Sequence, residues 1–500
     1  MERKSGILCP IFSLPSKYGI GGFGSECFKF IDFLSEAKQK IWQILPLVQT
    51  GYGNSPYSSV SSRSFNPYFI SVEELKKEKL ITAEEAKFAL CGDKKYIDYG
   101  ELYSVRYPLL RKAFSRFDLQ DKEFKRYVKS KESFDYAMFM AIKYASGQKH
   151  FYEWDEELKR RDEKALDKFY KTYREEVLFW QFVQFKAKTQ WQKVKEYANE
   201  KGVSIMGDIP IYVALDSVDV WVNPELFKLD DDFKPLKVAG VPPDYFCQEG
   251  QLWGNPVYDY SEHKKNGYAW WIDRIKNVLS IYDYVRIDHF RAFDRYYEVE
   301  SNAPNAINGE WIQVPSEEIF TALHKVVDKD RIVAEDLGII DDGVRELLKK
   351  VGYPGMKILS FAFDGQADNL YLPQNIEENY ICYTGTHDND TLMGLIQGAS
   401  EWDKNNLKYG VKNSLELLDI DGEVQSDLEL MQSIIKLGFK SKARWFIMPM
   451  QDVCALSTDY RINAPATVKV QNWAIKLPKT AFSSQTKNLL KTLTKKYNRT

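Results

Sequence analysis

Short apolar runs rich in β-branched residues recur along the chain, and each ends in polar or acidic residues. GILCP (residues 6–10) and IWQILPL (41–47) come first, separated by an amphipathic stretch over 23–37. VSIMGDIP (203–210), YVRIDHF (284–290) and RIVAEDLG (331–338) follow, then MKILSFAF (356–363), YICYTGTHDN (380–389) and RWFIMPMQD (444–452). Near-continuous apolar character over a few residues is what a parallel strand covered on both faces requires. Helical periods lie between several of the runs, as over 316–328 and 342–351. Eight such units in one chain predict an α/β protein with a (β/α)8 barrel.

Two intervals are too long to be simple connections. Residues 71–175 are polar, Lys/Glu-rich and helical in period, which predicts a helical insertion beside the barrel. The helix that follows it carries Val183, Ala187, Trp191, Val194 and Ala198 along one stripe and leads into the third strand, giving a barrel segment over 176–211. Residues 212–267 are rich in Pro, Gly, Asp and aromatics, so loops and short strands over one barrel face are expected there. Residues 1–70 then supply strands one and two with a loop, and 268–500 supply strands four to eight and the C-terminal helices. No β-sandwich is expected after the eighth strand; the tail past Thr486 reads as a Lys-rich helix.

Composition narrows the function classes. Sixty-nine basic against 71 acidic residues leave a formal net charge of -2, without the clustered basic excess of a nucleic-acid-binding protein. No run has transmembrane length, and the N-terminal apolar stretch is too short and too broken by Pro10 and Pro15 for a signal peptide. Cys9, Cys27, Cys91, Cys247, Cys382 and Cys454 are scattered without metal-like spacing and read as reduced thiols of a cytoplasmic protein. Aromatics make up 14 % of the chain. Flat rings stack on the apolar faces of sugars, although most of these side chains are expected in the core.

The chemistry is carried by position. Asp208, Asp288, Glu335 with Asp336, and Asp388 fall at or just after the C-terminal ends of predicted strands, where barrel side chains converge on one pocket. A lone acid there would more often cap the next helix. Four strands ending in acids, with Arg286, His289 and His387 beside them, point instead to a site. Glycoside cleavage uses one carboxylic acid to protonate the leaving oxygen and one carboxylate to attack the anomeric carbon, about 5–5.5 Å apart in retaining enzymes. Neighbouring strands four and five could present Asp288 and Glu335 in that way. Arg286, two residues before Asp288, lies on the same side of its strand and would orient that carboxylate. Glu335 would need a raised pKa to hold its proton near neutrality.

At these residues the chain resembles the amylomaltases, the 4-α-glucanotransferases or disproportionating enzymes of the α-amylase clan. The likeness runs through SLPSKYGIGGFG (13–24), TGYGNSPYSS (50–59), GDIPIYVALDSVDVW (207–221), VAGVPPDYF (238–246), GQLWGNPVY (250–258), RIDHFRAF (286–293), AEDLG (334–338), YTGTHDNDT (383–391) and RINAPAT (461–467). The resemblance implies Asp288 as nucleophile, Glu335 as general acid/base and Asp388 as the third carboxylate, which stabilises the transition state. It implies sugar contacts at Arg286 and His387, groove walls at Tyr57, Asp244, Tyr245, Phe246 and Trp253, a late contact at Asn463 and a supporting acid at Asp208. It implies α-1,4-glucans as donors, glucose or maltooligosaccharides as acceptors, and neither metal nor cofactor. Asn54, Ala292, Gln374, Ala466 and Ile475 depart from the family's usual residues without removing a catalytic group. An α-glucan hydrolase on the same barrel and a non-catalytic glucan-binding protein are the alternatives.

Overall fold

The computed structural model describes residues 2–51, 53–243, 248–338 and 340–500. Each of the eight apolar runs contains a strand. The described strands, in chain order, are β1 (Lys4–Leu8), β2 (Ile41–Gln43), β3 (Ser204–Ile209), β4 (Lys237–Val241), β5 (Gln251–Pro256) and β6 (Tyr284–Ile287), then β7 (Arg295–Glu300), β8 (Gly309–Gln313), β9 (Ile332–Ala334), β10 (Gly355–Ile358), β11 (Tyr380–Tyr383) and β12 (Trp445–Pro449). Eight of them form one parallel sheet in the order β10-β11-β12-β1-β2-β3-β6-β9. Its two outer strands meet, because the Ala334 N–H donates to the Pro354 carbonyl at 3.0 Å. The Asp336 carboxylate accepts from the Met356 N–H across the same seam at 2.6 Å. The sheet with its helices is a (β/α)8 barrel.

Most of the barrel strands are shorter than the apolar runs that announce them. β6 stops at Ile287 and β9 at Ala334, so Asp288 and Glu335 stand just past the ladder. The polar ends of the runs leave the sheet and become the barrel mouth. Close packing sets a further constraint under that mouth. A Cβ on Gly207, beside Asp208, would sit 2.1 Å from the ring of buried Tyr282. Gly207→Ala is therefore expected to cost about 1–3 kcal/mol through overpacking. A urea midpoint lowered at unchanged slope would check it; a wild-type midpoint would contradict it.

The long interval after β2 is mainly helical from Val72 on, including Tyr99–Ser115 and Lys131–Ala145, and runs into a 27-residue helix, Arg174–Glu200. The predicted stripe Val183, Ala187, Trp191, Val194 and Ala198 is buried, and the Trp191 indole donates to the Ile281 carbonyl at 3.1 Å. Over the C-terminal side of the strands lies a second, antiparallel sheet in the order β5-β4-β7-β8. The hydrophobic pattern does not single out β7 and β8, which lie between β6 and the next helix; β7 pairs with β4 of the earlier insertion and β8 pairs with β7. Among the described residues no strand follows β12. The chain ends in the helix Ser484–Lys496, after which buried Arg499 donates to the carbonyls of Phe439, Ala443 and Ser441. No helix of the described residues is long and apolar enough to cross a membrane.

Candidate active site

Strand register brings the acids together before any side chain is considered. Asp208 pairs with Arg286 across β3 and β6, and Ile287 pairs with Ala334 across β6 and β9. One residue further on, Asp288 and Glu335 are therefore level on adjacent strands, which lie about 4.8 Å apart. Backbone hydrogen bonds hold both: Asp288 N–H to the Ile209 carbonyl at 2.9 Å, and Glu335 N–H to the Ile287 carbonyl at 3.0 Å.

Arg286 links two of the carboxylates. Its guanidinium donates to Asp208 Oδ2 at 2.7 Å and lies 2.7 Å from Asp288 Oδ1. Arg286 and Asp208 are almost wholly buried, whereas the Asp288 side chain is 28 % exposed. The charge is thus fixed beneath a carboxylate that still reaches the pocket. Asp208 also accepts from the Tyr57 hydroxyl at 2.8 Å. Burial pushes the Asp208 pKa up, while Arg286 opposes the shift.

Glu335 is held by backbone. Its Oε2 accepts from the His289 N–H at 2.7 Å and its Oε1 from the Leu337 N–H at 2.6 Å. His289 can aim its amide there because it adopts left-handed backbone, φ 53°. Burial raises the Glu335 pKa to about 8, and the neighbouring Asp288 charge adds to the rise; Arg286 and the two N–H donors pull the other way. The direction of that shift is the one a proton donor near neutrality requires. Asp336, the next residue, braces the barrel seam through the Met356 N–H.

Asp388 follows β11 on a loop and is fastened from the last loop of the barrel. Asn463 Nδ2 donates to its Oδ1 at 2.6 Å, and Arg461 donates to its main-chain carbonyl at 2.6 Å and to that of Asn463. The His387 Nε2 lies 3.4 Å from Asp388 Oδ2. The His387 ring stacks on Tyr57 with centroids 5.1 Å apart and leans on Trp473. Tyr57 thus joins Asp208 on one side to His387 on the other, and is more than a brace for its turn.

Trp253 lies on β5 with its ring edge-on to His289, centroids 4.8 Å apart, and is 37 % exposed. That contact places it beside the turn that follows Asp288. Burial lowers the His289 pKa to about 4, so a neutral imidazole faces Trp253. Asp244, Tyr245 and Phe246 lie outside the described residues. Of the other site residues predicted from the sequence, Asp208, Arg286, Asp288 and Glu335 lie at the ends of β3, β6 and β9, Tyr57, His387, Asp388 and Asn463 lie on loops, and Trp253 lies on β5.

Sequence reasoning missed four contributors. The amides of His289 and Leu337 leave no trace in side-chain patterns. Arg461 stands inside the RINAPAT segment, where a half-buried arginine bonded to two carbonyls looks like any charged loop residue. Trp473 offered only its aromatic character. Among the departures, Ala466 and Asn54 adopt left-handed backbone, φ 57° and 59°; asparagine tolerates that region, whereas alanine is strained by roughly 1 kcal/mol or more. Among the described residues no group of three or more His, Cys, Asp or Glu is arranged to hold a metal ion.

The arrangement can deliver a proton from a buried carboxylic acid next to an Arg-held carboxylate, with a third carboxylate clamped nearby. Comparison with known proteins agrees. A family model described as 4-alpha-glucanotransferase (glycoside hydrolase family 77) matches residues 9–481. A 4-alpha-glucanotransferase of Clostridium butyricum is 40 % identical over 496 residues, covering 98 % of this chain and 99 % of that protein. One from Thermus thermophilus is 39 % identical over 487 residues, covering 95 % of each. An amylomaltase of Streptococcus agalactiae, solved in complex with acarbose, superposes with a TM-score of 0.94 at 38 % identity over the whole of both chains. The chain belongs to the 4-alpha-glucanotransferase family and is a glucan-transferring enzyme.

Proposed function

We infer that the chain cuts an α-1,4 bond with retention and passes the released glucan to a second sugar through a covalent intermediate on Asp288. Asp288 Oδ2 attacks the anomeric carbon as the bond to the leaving O4 breaks, while Oδ1 stays on Arg286. Glu335 gives its proton to that O4. An acceptor hydroxyl then enters, returns a proton to the Glu335 carboxylate, and its oxygen displaces Asp288 from the anomeric carbon. Asp388 grips hydroxyls of the sugar being distorted, while His387, Tyr57, Trp253 and Asn463 wall the groove. Asp244, Tyr245 and Phe246 are assigned to sugar contact by the family resemblance of the VAGVPPDYF segment alone. Donors are α-1,4-glucans and maltooligosaccharides, and acceptors are glucose or maltooligosaccharides. No metal or cofactor enters the steps.

The observation that carries this reading is the pairing of a buried carboxyl, Glu335, with the Arg-bound carboxylate of Asp288 at the ends of adjacent strands. The five described cysteines are free thiols, which supports action in the reducing cytoplasm. Incubation with maltotriose is the test. A ladder of longer and shorter maltooligosaccharides with glucose is expected. Glucose and maltose alone would mean hydrolysis, and unchanged maltotriose would mean binding without catalysis.

A further inference from the structure

The helix Glu401–Leu417 presents an outward face that neither the barrel nor the catalytic residues account for. Trp402 is 73 % exposed and Tyr409 is 75 % exposed. They stand seven residues apart, two turns along one face, or roughly 10 Å. Asn406 falls between them and Asn413 beyond them at the i, i+4, i+7, i+11 spacing of a single stripe. Large aromatics scattered singly on a surface need no explanation. Two on one stripe, alternating with amides, are a different pattern.

A groove of about 590 Å³ runs beside the stripe, lined by Trp402, Asn406 and Asp403 of this helix and by Phe361, Phe363 and Asp390. Its volume is in the range of small-molecule sites, about 300–1,000 Å³. The groove starts from loops that leave the barrel mouth: Asp390 is two residues past Asp388, and Phe361 follows β10 on the neighbouring strand end. Ser360 also lines it and turns a hydroxyl without a protein partner among the described residues.

The helix is anchored so that this face stays outward. Lys404 pairs with Asp427 at 2.6 Å and Lys408 donates to the Gln425 carbonyl at 3.2 Å, both on the side of the next helix and its approach. Phe363 packs against Gly410, where even a Cβ would lie 3.3 Å away. The cations are therefore drawn away, and the groove keeps the carboxylates Asp364, Asp390 and Asp403. Such a surface disfavours phosphates and other anions. A neutral polyhydroxylated chain suits it: flat rings take the apolar sugar faces, and carboxylates and amides take the hydroxyls.

We propose that the Trp402–Tyr409 face with its groove is a glucan-binding surface that holds the outlying part of a long α-1,4-glucan whose reacting end lies at Asp288. This rests on the glucan-transfer reading and adds to it a site for chains longer than the catalytic pocket accommodates. Short substrates end before reaching it, whereas long ones gain a second attachment.

The experiment compares wild type, Trp402→Ala and Tyr409→Ala in two assays: retardation in native gels containing amylose, and turnover of maltotriose. Loss of one stacking partner is expected to weaken amylose binding about three- to tenfold, with maltotriose turnover within about twofold of wild type. Wild-type retardation in both variants would overturn the surface. So would a changed sedimentation mass with unchanged retardation, which would make the face a contact between copies. If the wild type itself fails to convert maltotriose, the transfer reading fails instead, and the two failures are told apart.

Discussion

Asp288→Asn is expected to abolish glucan transfer, by on the order of 10⁴-fold or more in kcat, while the folded state survives. The amide keeps the shape of the carboxylate and can still accept from Arg286 through its oxygen, but it cannot form the glycosyl ester. Burial makes the fold's tolerance easy to foresee. Arg286 retains its 2.7 Å contact with Asp208, so the exchange leaves no buried charge without a partner, the situation that makes broken ion pairs costly. Steady-state turnover of maltotriose together with thermal melting checks both halves. Near wild-type turnover would place the nucleophile elsewhere.

Glu335→Gln has the second-largest expected effect and a more particular signature. In the wild type a pKa raised to about 8 keeps the proton on Glu335 at neutral pH and releases it above. Since the protonated form is the donor, kcat for maltooligosaccharides should fall as pH rises through about 8. The amide that replaces the carboxyl has no such proton to lose. The variant should be slower by about 10²–10⁴-fold on maltooligosaccharides and should lack that alkaline limb. A glycosyl fluoride needs no proton for its leaving group, so the first step should persist with that donor in the variant. An unchanged alkaline limb in Glu335→Gln would assign the titration to another group.

Much of this architecture was legible because it is written in periodic patterns. Eight apolar runs announced eight barrel strands, and the stripe from Val183 to Ala198 announced the long helix. The antiparallel sheet was half hidden, since β7 and β8 are short and carry charged residues such as Arg295, Glu298 and Glu300, and β7 pairs with β4, about 60 residues earlier in sequence. Arg499 shows the same limit from the other direction. In a Lys-rich tail one more basic residue looks solvated, yet it is fully buried and bonded to carbonyls under the barrel.

The acidic residues of the site could be found from sequence because strand ends in a barrel converge on one pocket. Their support could not. The two amides on Glu335 depend on the left-handed turn at His289, and the Asn463–Asp388 link joins loops 75 residues apart. Contacts of that kind are set by tertiary placement of main chain, which residue types do not encode one by one.

The most direct measurement is to trap the intermediate. Glu335→Gln is incubated with α-maltosyl fluoride, digested, and its peptides are weighed. Bond cleavage proceeds without an acid, and release is slowed because no base remains to activate an acceptor. A peptide spanning Asp288 should carry the added maltosyl mass. An adduct on Asp208 or Asp388, or a product of inverted anomeric configuration formed with no adduct at all, would contradict attack by Asp288.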